Sequence, residues 1–140
     1  MTHYDLFVIG GGSGGVACAR TSAALGAKVG LAEFDLLGGT CVNRGCVPKK
    51  LLMYASQAAA DLCNSGSLGW TSENVSFDWA QLRNGVQAEL RRLNGIYDGL
   101  LEKFNVKVYQ GVAHFVDEKT VQVGSRKITA DRFMIATGGS

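Results

Sequence analysis

The chain has 140 residues, 46% of them hydrophobic, with 14 Lys and Arg against 12 Asp and Glu for a net charge of +2. That is enough for one domain with a core of ordinary size, and the basic residues are scattered instead of forming a stripe with interleaved aromatics, which argues against a nucleic-acid partner. No apolar run reaches the ~18 residues of a membrane span, and Met1-Thr2-His3-Tyr4-Asp5 lacks the basic region of an export signal, so no membrane partner is expected and the cytoplasm is the expected compartment.

Residues 4–9, Tyr-Asp-Leu-Phe-Val-Ile, make an apolar run of strand length, followed directly by Gly10-Gly11-Gly12-Ser13-Gly14-Gly15 and a helical segment from Val16 to Leu25. Gly10, Gly12 and Gly15 satisfy G-x-G-x-x-G: the first allows a tight turn, the second lets backbone approach a pyrophosphate, and the third lets helix lie close on strand. A second strand, Lys28 to Ala32, ends at Glu33, 23 residues past Gly10, where a carboxylate can accept from a ribose diol. A glycine motif alone could be a merely flexible loop. Strand, turn, helix, strand and acid in that order point to a dinucleotide site.

The stretch Cys41-Val42-Asn43-Arg44-Gly45-Cys46 places two thiols five positions apart, ahead of Pro48-Lys49-Lys50. In a straight α-helix such a pair has Cα atoms roughly 8 to 9 Å apart on different faces, so the turn is distorted if they pair. Gly45 supplies backbone freedom, while Pro48 fits a first helical position and pushes Val47 toward extended geometry, which puts Cys46 at or just before a helix start. There the helix dipole and the cations Arg44, Lys49 and Lys50 favour a thiolate. A stapling disulfide is the plain alternative, but closing so short a loop is worth only about 2 kcal/mol by chain entropy, which favours redox turnover. The remaining thiols, Cys18 and Cys63, read as small buried hydrophobes. A metal site on Cys41 and Cys46 lacks two further ligands at suitable spacing, so no metal is expected.

A helix is expected from about Pro48 to Asn64, then a Gly-, Ser- and Asn-rich loop through Ser76. Asp78 with Gln81 forms a capping box that opens a long helix to about Phe104. Trp79, Leu82, Val86, Leu90, Leu93, Tyr97, Leu100 and Phe104 recur at spacings of three and four, one buried stripe. Gly85, Gly95 and Gly99 each cost such a helix about 1 kcal/mol against alanine, so a partner subunit or substrate is expected to approach closely there, with Tyr97 on the same face. Short strands follow at Val106–Gln110, Ala113–Val116, Thr120–Val123, Lys127–Thr129 and Phe133–Ile135. The middle three alternate like an antiparallel meander, and the first and last return to the main sheet. The expected fold is a doubly wound, Rossmann-like α/β domain with a parallel sheet and a small antiparallel β appendage.

A dinucleotide site that leads within a few residues into a dithiol needs a group able to pass electrons to sulfur, and a flavin both accepts hydride and does this. Gly38-Gly39-Thr40-Cys41-Val42-Asn43-Arg44-Gly45-Cys46-Val47-Pro48-Lys49-Lys50 resembles the signature of the pyridine nucleotide-disulfide oxidoreductases, closest to their glutathione-reducing branch, and the resemblance extends from residue 5 to Ala136-Thr137-Gly138-Gly139. It implies an FAD-binding domain over residues 1–140. By resemblance, Cys41 is the interchange thiol that attacks the substrate disulfide, Cys46 the thiol against the flavin, and Lys49 the cation at the flavin N5 edge. Gly10, Gly12, Ser13, Gly14 and Gly15 correspond to the FAD phosphate loop and Glu33 to the ribose contact. Thr40, Ala113, Thr137 and Gly138 correspond to further FAD contacts.

Arg20 is placed by the same resemblance to pair with a glutathione carboxylate, and Tyr97 to line the glutathione site. Ala17 and Arg20 differ from the acid and tryptophan expected in trypanothione reductases, whose substrate is cationic. Pro48-Lys49-Lys50 differs from the Pro-Ser-Lys of lipoamide dehydrogenases and mercuric reductases, and the short Phe34–Leu37 link from animal-type thioredoxin reductases. The implied activity is NADPH-dependent reduction of oxidised glutathione in cell redox homeostasis, by a homodimer. His3 and His114 are set aside as the general acid, because that histidine belongs to the family's interface domain. With no second G-x-G-x-x-G, the chain reads as a fragment without its NADPH and interface domains, inactive on its own. An FAD-binding module without catalysis, or a reductase of lipoamide, thioredoxin, trypanothione or mercuric ion, is the alternative.

Overall fold

The computed structural model describes residues 2–71 and 73–139; Ser72, inside the loop expected before Asp78, lies outside the described residues, as do Met1 and Ser140. Strand β1 (Thr2–Ile9) leads into helix α1 (Ser13–Ala24) and strand β2 (Val29–Glu33). Helices α2 (Gly39–Asn43) and α3 (Cys46–Asn64) follow, then a 3-10 turn at Ser65–Leu68 and helix α4 (Trp79–Lys103). The chain ends in β3 (Lys107–Gln110), β4 (Ala113–Asp117), β5 (Thr120–Val123) and β6 (Arg126–Ile135). The six strands form one sheet in the order β3-β2-β1-β6-β5-β4. The first three pairings are parallel and the last two antiparallel.

Each face of the sheet is closed differently. Val8, Val29 and Leu31 pack against Val16 and Ala19 of α1 and Leu101 of α4. On the other side Tyr4, Phe7, Ile9, Ala32 and Tyr109 lie under Val121, Val123, Ile128 and Ala130 of the meander. The Rossmann-like α/β sheet with a meander is as the sequence implies, but the meander is continuous with the main sheet instead of appended to it. The two strands expected at Lys127–Thr129 and Phe133–Ile135 are a single strand. The gap expected between them is absent because β1 supplies a parallel partner from Thr2↔Ile128 to Ile9↔Ile135, so the ladder runs straight through.

The helical layer is looser. Asp78 caps α4 by accepting from the Gln81 N–H at 3.0 Å, as the capping box implies. Val86 and Leu90 of the expected stripe are buried, Trp79 is 55% exposed, and Leu101, outside the stripe, is fully buried. Tyr97 packs inward with Leu100 and Phe104 against the α1 and β2 core. Two residues along a helix are about 200° apart, so Gly95 and Gly99 face away from Tyr97, and a Cβ at either would meet nothing within 4 Å. The shared face expected for these three residues is therefore absent. Cys63 is exposed rather than buried, because none of the 19 residues of α3 is buried.

Candidate active site

The parallel strands end at one edge, and the β1–α1 turn rises beside the carboxyl ends of β2 and β6. Gly10 donates to the Ala32 carbonyl at 2.8 Å, and Ala136 donates to Ile9 at 2.8 Å, so the turn is locked to strands on both sides. Gly10 has φ +109°, and a Cβ there would lie 2.2 Å from the Ala136 carbonyl oxygen. Gly15 is buried under the turn, where a Cβ would stand 1.8 Å from the Gly10 oxygen. These two glycines are demanded by the fold itself. Gly12 and Gly14 are different: a Cβ at Gly12 would only touch Gly39 at 3.7 Å, and one at Gly14 would meet nothing within 4 Å.

Both line a cleft of about 930 Å³ at this edge. The cleft brings together Gly10, Gly12, Ser13, Gly14, Glu33, Thr40, Cys41, Ala113, Thr137 and Gly138. It is the crevice beyond the strand ends, where β1 has neighbours reached in opposite directions, the position that α/β sheets use for ligands. Helix α1 begins here with Gly12 as an N-cap that offers no side-chain oxygen. The first N–H groups of the helix are thus free for an anion, which is what a pyrophosphate requires. Open space above Gly12 and Gly14, free helical N–H groups and an acid at the end of β2 fit a dinucleotide such as FAD.

Glu33 is only 6% exposed. Its Oε2 accepts from the Gly11 N–H at 2.6 Å and its Oε1 from the Asp35 N–H at 2.8 Å. One carboxylate thereby shapes the glycine turn and the exit of β2, and each oxygen keeps a lone pair for a hydroxyl in the cleft.

The two cysteines are joined by a disulfide with Cα atoms 4.7 Å apart. They achieve this by lying on separate helices. Helix α2 ends at Asn43, Arg44 leaves helical geometry, Gly45 turns the chain, and Cys46 is the first residue of α3. Cys46 thus opens a helix as expected, but Pro48 is its third residue and Val47 is helical rather than extended. The first three or four residues of a helix need no N–H partner, so proline is accommodated anywhere in that turn. Cys41 lines the cleft, whereas Cys46 and Lys49 are exposed on the first turn of α3 and do not. Arg44 is ion-paired with Asp35, and both residues line the cleft.

Arg20 is exposed on α1, and neither it nor Tyr97 reaches the cleft. His3 and His114 are exposed and do not line it either. Among the described residues no group of three or more His, Cys, Asp or Glu side chains could hold a metal. No described helix is long and apolar enough to cross a membrane. Sequence reasoning gave no role to Asn43, between the two cysteines, or to Asn94 of α4, which hydrogen-bond to each other at 2.9 Å from 51 positions apart. Asn43 stands inside the dithiol signature but without a role there, and Asn94 belongs to no pattern that would single it out.

A family model described as pyridine nucleotide-disulphide oxidoreductase matches residues 4–140. The chain is 48% identical over 136 residues to a protein of Nostoc sp. named glutathione reductase, covering 97% of this chain and 30% of that protein. A protein of the same name from Burkholderia cepacia is 47% identical over 135 residues, covering 96% of this chain and again 30% of the relative. The chain therefore spans about 30% of the length of these curated relatives.

Proposed function

This chain belongs to the pyridine nucleotide-disulphide oxidoreductase family, and we propose that residues 1–140 are the FAD-binding, disulfide-bearing part of an NADPH-dependent glutathione-disulfide reductase. One observation carries the reading: Cys41 of the Cys41–Cys46 pair lines the same cleft as Gly10, Gly12, Gly14 and Glu33. Gly12, Ser13 and Gly14 would hold the phosphates, Glu33 the adenosine ribose, and Thr40, Ala113, Thr137 and Gly138 the remainder of FAD. When bound, flavin supplies a two-electron step between a hydride donor and sulfur.

The chain's own part is thiol chemistry. In the dithiol form, the Cys41 thiolate attacks one sulfur of oxidised glutathione, forms a mixed disulfide and releases one glutathione thiol. The Cys46 thiolate then attacks the Cys41 sulfur, closes the Cys41–Cys46 bond and releases the second thiol. Lys49, on the exposed first turn of α3, is by the resemblance the cation for the reduced flavin, and Arg20 and Tyr97 are by the same resemblance substrate contacts at a surface outside the cleft, which neither of them lines. NADPH would bind outside these residues, the working protein would be a cytoplasmic homodimer, and its role would be cell redox homeostasis.

The test uses the full-length protein. It is expected to carry a flavin absorption spectrum with a long-wavelength charge-transfer band on partial reduction, and to oxidise NADPH only when oxidised glutathione is present. Cys41→Ser should keep the flavin and abolish glutathione release. A Cys41→Ser protein that still reduces oxidised glutathione would overturn the proposal, and flavin binding without any thiol exchange would leave a binding module.

A further inference from the structure

Asn94 lies in α4, half-buried, and its amide nitrogen donates to the Leu37 carbonyl at 2.8 Å and to the Asn43 side-chain oxygen at 2.9 Å. Asn43 is the last residue of α2, and its own amide nitrogen donates to the carbonyls of Gly39 at 3.0 Å and Leu37 at 3.2 Å. A carboxamide that accepts from Asn94 through its oxygen can offer only its nitrogen to those carbonyls. Asn94 thus fixes the orientation of the Asn43 amide and ties both ends of α2, with Cys41 between them, to the long helix. On the other side of the Arg44-Gly45 break, Cys46 opens a helix in which no residue is buried.

We infer that Asn94 is a positioning residue for the redox pair: it pins α2, and with it the Cys41 sulfur, so that the Cys41–Cys46 bond forms readily and the Cys41 side stays aimed at the cleft. The inference rests on the redox reading of this pair. Reduction by a dithiol breaks the Cys41–Cys46 bond, delivers two electrons and two protons to give two thiols, and leaves the reductant as its own disulfide. The two sulfurs must then part. With α2 held through Asn43, the displacement falls on Cys46, on the far side of the Arg44-Gly45 break. Without the Asn94 donor both sides move, the effective concentration of one thiol at the other drops, and the disulfide becomes easier to reduce.

Full-length protein carrying Asn94→Ala or Asn94→Asp is equilibrated in graded ratios of reduced and oxidised dithiothreitol, and Cys41 and Cys46 are trapped by alkylation and read by mass spectrometry. Asn94→Asp keeps the volume and removes both N–H donors, which separates lost hydrogen bonding from lost packing. The expected result in both variants is about a tenfold smaller equilibrium constant for disulfide formation, about 30 mV for a two-electron couple, with KM for the disulfide substrate unchanged. Midpoints coinciding with the unmodified protein while thermal stability falls would overturn the inference and leave Asn94 a structural amide. A pair that fails to titrate as a dithiol couple in the unmodified protein would overturn the redox reading itself, and the inference with it.

Discussion

The two halves of the site are secured by different physics. The glycine turn is wedged into the sheet, where Phe7, Val8, Val29 and Leu31 are at most 1% exposed and where added atoms at Gly10 or Gly15 would overlap backbone. The disulfide turn sits on a helical layer whose second member, α3, buries none of its 19 residues. Steric exclusion fixes the first half. Amide hydrogen bonds from Asn43 and Asn94 hold the second. A sterically locked glycine turn thus lies beside a disulfide turn held by side-chain hydrogen bonds.

The largest way to break this contrast is at the turn itself. Gly15→Ala puts a Cβ 1.8 Å from the Gly10 oxygen, with only backbone to give way, and is expected to cost about 4 kcal/mol or to prevent folding. The urea midpoint of this chain measures it. Gly14→Ala, one residue earlier, meets nothing within 4 Å. It is expected to leave stability unchanged or raise it by up to about 1 kcal/mol through helix propensity, while weakening flavin binding. Equal losses of stability in the two variants would erase the distinction between glycines required by the fold and glycines left open for a ligand.

An intermediate effect is expected with pH on the buried side of the sheet. Tyr4 is 4% exposed and its hydroxyl lies 2.7 Å from that of Tyr109. Burial, and then the Tyr109 hydroxyl, hold the Tyr4 phenol above its ordinary range. The folded state therefore keeps a proton that the unfolded chain releases near pH 10. Stability from this source is complete below about pH 10 and is lost as pH rises beyond it. Tyr4→Phe removes that titration but leaves the Tyr109 hydroxyl without its partner, so it should cost about 1–2 kcal/mol at neutral pH and flatten the alkaline fall. Denaturation curves at pH 7, 9, 10 and 11 check the sign; a steeper alkaline limb in Tyr4→Phe would contradict it.

The same contrast explains what could be read from the sequence. Residues 4–33 announce strand, glycine turn, helix, strand and acid because each piece obeys a local rule, and the structure keeps that order. The thiol turn was legible as distorted, since five-residue spacing cannot bridge within one regular helix. How it distorts was not: α2 spans only five residues, Gly39–Asn43, too few for periodicity to register. Val47 is helical before a proline because the first turn of α3 asks for no N–H partner at Pro48, and β6 runs unbroken to Ile135 because β1 supplies a partner strand along its length. The Asn43–Asn94 clamp pairs two ordinary polar residues from distant segments, and only the folded backbone brings them together.

The smallest expected effect lies on α3. Met53 is 53% exposed on a helix without a buried face, so Met53→Ala in this chain removes few contacts and should shift stability by less than about 0.5 kcal/mol. A fully buried methionine would cost about 2–5 kcal/mol by contrast, so the two possibilities are far apart on a urea curve. A loss above about 1.5 kcal/mol would mean that α3 is packed more firmly than its exposure allows. The Cys46 side could then not yield when the sulfurs separate, and the strain of opening the disulfide would return to α2 and its Asn43–Asn94 clamp.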